Sequence, residues 1–312
     1  MPINRRLLII ALSACMLPPG RASTNVRRTA VPYAHRFRSR MIELSDTRLE
    51  ILEAGKGPTT FVCTHPYFDA SGPFPAGGLT EALASAGRTL YVCPRGTAGS
   101  ANEHRREKLT LSVLVDDMEE IRRKLAIKKW VPAGSSTGGM TALLYGLRYP
   151  DSTQGLILSS TVSSYHFIED PDSLYNPDNP TFKKLAAIQK TGNDAEYALA
   201  KMGASLHNQG VIDLVMQNTK IAHERESVDD EEIVTGRWDE EGNLSRITVP
   251  TLIVAGRFDV PVGSLKPSLT ILKAIKSSEY AIMNDSGHFP YDEEPARYKH
   301  VIADFTRRCL DQ

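Results

Sequence analysis

Val131-Pro132-Ala133-Gly134-Ser135-Ser136-Thr137-Gly138-Gly139 decides how the rest of this chain is read. It sets Gly-x-Ser-x-Gly between an apolar, strand-like run and a helix-like one, the context that gives the pentapeptide meaning. The requirement is steric. A serine lifted above a sheet sits on a turn so tight that the residues two places before and after it must lack bulk. Gly134 and Gly138 meet that demand. Moving the register by one residue puts Ala133 and Thr137 in those places, so Ser136 rather than Ser135 is the candidate nucleophile. The helix that follows aims its first N–H groups at developing negative charge, which makes the Thr137 N–H a candidate oxyanion donor.

On either side of this stretch, strands and helices alternate, which argues for an α/β class with a mainly parallel central sheet and helices on both faces. Apolar runs predict strands at 48–53, 59–64, 89–93, 130–133 and 155–159, and helices at 80–86, 111–125 and 138–149. In 111–125 the residues Leu111, Leu114, Val115, Met118, Ile121 and Leu125 recur at helical spacing. From 161 to 245 the alternation stops, with helical patches at 181–190, 195–204 and 211–223 and no convincing strand. Strands return at 251–255 and 280–283, with helices at 265–275 and 295–310. A helical insertion before the last strands of a parallel sheet is expected to cap the strands' carboxyl ends, where such folds place ligands. The expected organisation is a leader over 1–40, a core over 41–160 and 246–312, and a helical cap over 161–245.

Two later loops supply what a serine nucleophile needs. The run at 251–255 leads into Gly256-Arg257-Phe258-Asp259, and Asp259 is the first carboxylate after it. The last strand leads into Asn284-Asp285-Ser286-Gly287-His288-Phe289-Pro290, which contains the one histidine in a post-strand loop of that half. An imidazole exchanges a proton near neutral pH, so His288 is the candidate base. Asp259 would fix its tautomer and stabilise the imidazolium, with Asp285 as the weaker competitor. A second oxyanion donor is expected from His65-Pro66-Tyr67-Phe68; Pro66 has no N–H, so Tyr67 is the candidate. His65 is read as holding that loop by hydrogen bonds.

Bulk composition narrows the function classes. Formal net charge is zero, but residues 1–42 carry eight arginines and no acid, leaving 29 basic against 37 acidic side chains in the remainder. A basic tail on an acidic body does not suit nucleic-acid binding. Cys63 and Cys93 lie in apolar runs and are expected to be buried thiols. The cysteines have no metal-ligand spacing, and the nucleotide and zinc-protease motifs are missing, so neither a metal nor a cofactor is expected. The expected partner is a small-molecule substrate, and the oligomeric state stays open. No apolar run reaches the roughly 18 residues of a membrane-spanning helix. The leader has two readings. Its positive start, apolar run and small residues at Ala22 suit export, and Leu12-Ser13-Ala14-Cys15 resembles a lipobox that would lipidate Cys15. Alternatively translation begins at Met41, and the protein is cytoplasmic.

Together these segments resemble the α/β-hydrolase superfamily, and within it the capped branch of proline iminopeptidase-like hydrolases. The resemblance spans about 41–310 and rests on five features. They are His65-Pro66-Tyr67, the Pro94–Ser100 segment, the Ser136 turn, Gly256–Asp259, and Gly287-His288-Phe289-Pro290 with Glu294-Pro295. It implies the α/β-hydrolase fold and a Ser136–His288–Asp259 triad. His-Pro-Tyr replaces the His-Gly-Gly-Pro-Gly of iminopeptidases, and Ala98 stands where that branch usually has glycine. Hydrolysis of an ester, lactone or thioester through an acyl-serine is therefore expected first, an aminopeptidase second, and a non-catalytic small-molecule receptor third. The second draws on 16 acids against 7 Lys/Arg in the stretch 164–245. A solvated acidic surface is the simpler account of that charge.

Overall fold

A computed structural model describes residues 37–64, 77–101, 103, 109–192, 194–211, 238–263 and 265–310. The chain enters through β1 (Arg38–Glu43) and β2 (Arg48–Ala54), an antiparallel pair in register from Arg38 opposite Glu53 to Glu43 opposite Arg48. There follow β3 (Thr60–Cys63), α1 (Gly77–Ala86), β4 (Arg88–Val92), α2 (Leu111–Lys124), β5 (Val131–Ser135), α3 (Thr137–Arg148) and β6 (Leu156–Ser159). The insertion contributes α4 (Pro180–Lys190) and α5 (Asp194–Ser205). The chain then returns through β7 (Thr251–Gly256), α6 (Lys266–Ala274), β8 (Ser278–Met283), α7 (Pro290–Glu293) and α8 (Pro295–Phe305). The eight described strands form one sheet in the order β1-β2-β4-β3-β5-β6-β7-β8. From β4 to β8 every pairing is parallel.

The alternation of side chains along each strand feeds two separate cores. Val62, Leu90, Val92, Leu158 and Ile253 pack with α2, α3 and Ile271 of α6 on one face. Phe61, Cys63, Tyr91, Cys93, Ile157 and Val254 pack with Leu79 and Leu83 of α1 and Tyr298, Ile302 and Phe305 of α8 on the other. Burial on both sides explains why these strands read as unbroken apolar runs and not as alternating ones. Cys63 and Cys93 are buried thiols outside any disulfide, as expected.

Differences from the sequence reading are local. β1 starts at Arg38, so three residues assigned to the leader pair with Ile51, Leu52 and Glu53 in the sheet. β5 runs on to Ser135, two residues further than its apolar run suggests, because Gly134 and Ser135 still pair with Leu158 and Ser159 of β6. Pro132 stands inside this central strand opposite Val62, although it removes a ladder donor there. α8 ends at Phe305, and Thr306–Leu310 continue as a wider π-type turn. Of the helix expected at 211–223, only Val211 lies within the described residues. The described part of the insertion contains no strand, and no helix among the described residues is long and apolar enough to cross a membrane.

Candidate active site

Because β5, β7 and β8 run parallel, the turns after all three open at the same edge of the sheet. Ser136, Asp259 and His288 occupy those three turns.

Ser136 links β5 directly to α3 with φ 53° and ψ −125°, a strained conformation for a residue with a side chain. The glycine before it is compelled: a Cβ on Gly134 would lie 2.1 Å from the Gly138 carbonyl oxygen. Ser136 N–H donates to Ser159 O at 3.0 Å, and its carbonyl accepts from Thr161 Oγ1 at 2.7 Å. The turn is thereby pinned to the end of β6. Ser135 is buried and Ser136 is partly exposed. Thr137 is the first residue of α3, so its N–H has no acceptor within the helix.

The loops that carry Asp259 and His288 are joined through the main chain as well as through those side chains. Phe258 N–H donates to Ser286 O at 3.0 Å, and a Cβ on Gly256 would fall 1.9 Å from the Gly287 carbonyl oxygen. His288 Nδ1 lies 2.7 Å from Asp259 Oδ1, and both residues are buried. A carboxylate can only accept, so the proton of this bond belongs to Nδ1 and the lone pair of the neutral ring to Nε2. Asp285, the competing acid, is exposed, and its N–H donates to Glu294 at 2.9 Å. Nearby, burial pushes the Tyr280 phenol above its ordinary range; a hydrogen bond with Ser268 opposes this and the charge of Asp259 adds to it.

Tyr67 and His65 lie outside the described residues, as does Cys15. Two residues escaped the sequence reading. Thr161 acts on a main-chain carbonyl 25 residues away, a relation that leaves no motif. Glu293 accepts the Gly287 N–H at 2.8 Å; its only signal was the acidic pair before Pro295. The Pro94–Ser100 segment is anchored by Arg95, whose guanidinium bonds Asp117 through two nitrogens at 2.8 and 2.7 Å and reaches Asp46 at 2.7 Å. Ala98 in that segment has φ 48°.

Comparison with known proteins bears on the fold and the family. The family model described as alpha/beta hydrolase fold matches residues 59–295. The proline iminopeptidase of Lactobacillus helveticus is 27% identical over 289 residues, covering 85% of this chain and 90% of that one. An alpha/beta fold family hydrolase from Bacillus anthracis str. Sterne superposes with a TM-score of 0.77 at 20% identity, over 86% of this chain and 99% of that chain. A thermophilic esterase from Thermogutta terrifontis gives a TM-score of 0.62 at 20% identity, over 88% and 99%. Sheet order, turn geometry and the matched length together place the chain in the alpha/beta hydrolase fold family.

Proposed function

We propose that this chain is a serine hydrolase that cleaves carboxylic esters of small molecules, lactones and thioesters included, through an acyl-Ser136 intermediate. The observation that carries the reading is the buried 2.7 Å contact of His288 with Asp259, in loops at the sheet edge where Ser136 sits strained and partly exposed. His288 Nε2 takes the Ser136 proton as Oγ attacks the acyl carbon, and Asp259 stabilises the imidazolium that forms. The Thr137 N–H receives the oxyanion, with the Tyr67 N–H as the second donor. The leaving alcohol takes the proton back from His288, which then activates water to release the acid and restore Ser136.

We read the insertion as a cap that selects the acyl group. An aminopeptidase must hold a substrate ammonium with a carboxylate, so the acids of the insertion bear on the choice. Among the described ones, Asp170 is buried but is paired with Lys266 at 3.0 Å. Glu169, Asp172, Asp178, Glu196 and Asp239 are exposed, while Glu240 bonds Asn243 and Glu241 bonds Ser164. Among these eight acids none is both buried and without a cation, which supports the ester reading. The aminopeptidase reading keeps its own support in several relatives named proline iminopeptidase, one of which matches across 85% of the chain.

Two measurements test the proposal. A fluorophosphonate probe should label the wild type at Ser136, and Ser136→Ala should lose label and about 10³-fold or more in kcat. Neutral p-nitrophenyl esters should be cleaved far faster than prolyl-p-nitroanilide. If the prolyl amide is the better substrate and blocking its amine abolishes cleavage, the aminopeptidase reading replaces the ester one.

A further inference from the structure

We propose that Glu293 is a positioning residue for His288, and that through it the insertion sets the geometry of the base. The proposal rests on the serine-hydrolase reading above. Glu293 is buried, and its two oxygens face different parts of the molecule. Oε1 accepts the Gly287 N–H at 2.8 Å. Oε2 accepts the N–H groups of His207 at 2.6 Å and Asn208 at 2.8 Å, just beyond α5 of the insertion. Three main-chain donors, and no cation within ion-pair distance among the described residues, satisfy this carboxylate. Such an arrangement fixes backbone position more than it balances charge.

The neighbouring contacts close a clasp. The His288 N–H donates to Ser205 O at 2.8 Å. A Cβ on Gly287 would meet that same oxygen at 2.5 Å, so the close approach demands glycine. The His207 ring stacks on Phe258, 3.6 Å between centroids and 15° from parallel, next to Asp259 in sequence. Residues 205–208 therefore grip the main chain at Gly287 and His288 and press on the residue before the acid. With both N–H groups held and Nδ1 tied to Asp259, the direction of Nε2 is set. Misplacing a reacting group by about 1 Å can cost about 10²-fold in rate.

Glu293→Gln keeps the shape but turns an NH2 towards one set of N–H donors, while His207→Ala removes only an exposed ring. Each is compared with wild type for fluorophosphonate labelling rate, kcat and KM on a p-nitrophenyl ester, and circular dichroism. Glu293→Gln should lower kcat and labelling rate together by about 10–100-fold, with KM within about threefold and the spectrum unchanged. His207→Ala should lower both by about threefold to tenfold, again without raising KM. If Glu293→Gln does not fold, Glu293→Asp, which keeps the charge but shortens the reach to the His207 and Asn208 N–H groups, is measured in its place against the same expectation. Rates within about twofold of wild type in the folded variants, or a change confined to KM, would overturn the clasp. A wild type that is not labelled, together with an active Ser136→Ala, would instead overturn the serine-hydrolase reading.

Discussion

At Ser136 the backbone stands at φ 53°, and what makes this tolerable is local: the missing Cβ at Gly134, the first turn of α3, and the hydroxyl of Thr161 on its carbonyl. The Asp259–His288 contact is different in kind, because its two residues lie on loops brought together by the pairing of β7 with β8 and by the bond from Phe258 to Ser286. Asp259→Asn keeps the volume but presents an amide to Nδ1 and so selects the wrong tautomer. It should cut kcat by about 10²–10⁴-fold in steady-state assays. A loss under tenfold would mean that another carboxylate serves as the acid. At this scale the sequence was legible where a constraint is carried by neighbours. Gly134, Ser136 and Gly138 announce a tight turn, and chain order selected Asp259 and His288. Thr161 and Glu293 were illegible, since each acts on main-chain groups that any residue type would present.

α2 offers a test at the level of the element. Its Glu119 is buried and receives bonds from Arg122 at 2.8 Å, Arg123 at 2.7 Å and Tyr145 of α3 at 2.6 Å. Burial works to raise its pKa, but the bonds from Arg122, Tyr145 and Arg123 outweigh it and hold the carboxyl at about 2, against an ordinary 4.5. The folded value lies below the unfolded one, so this stabilisation is complete above about pH 4.5 and is lost as pH falls towards 2. Urea unfolding midpoints should therefore drop more steeply over that range in wild type than in Glu119→Gln, and the two proteins should converge at the acid end. Equal slopes would show that Glu119 is not held in its charged form. Most elements could be located from their apolar period, since α2 follows helical spacing and the parallel strands are buried on both faces. β1 was harder to delimit. As an edge strand with one buried residue in six, it has almost no apolar pattern to mark where it begins.

Across the whole molecule, β1 joins the chain's amino-terminal side to the sheet before Met41. A protein starting at Met41 would lose the pairs of Arg38, Ser39 and Arg40, together with the 3.4 Å contact of Arg40 with Glu53. It should be less stable than one starting at Phe37 by about 1–2 kcal/mol in urea titrations, and indistinguishable curves would show that the three residues add nothing. The overall architecture was legible because alternation and the late return of strands admit few topologies. How the insertion meets the core was not, since its contacts with His288 run through main-chain atoms. That insertion leaves from β6 and re-enters at β7, which are hydrogen-bonded neighbours. Its two ends are held together by the sheet whatever lies between them, and lengthening it adds only a slowly growing entropic cost. This is the segment whose length the sheet can best tolerate changing. On the proposed role of the insertion, a different insertion would bring a different substrate range, so long as it keeps the residues that grip the histidine loop.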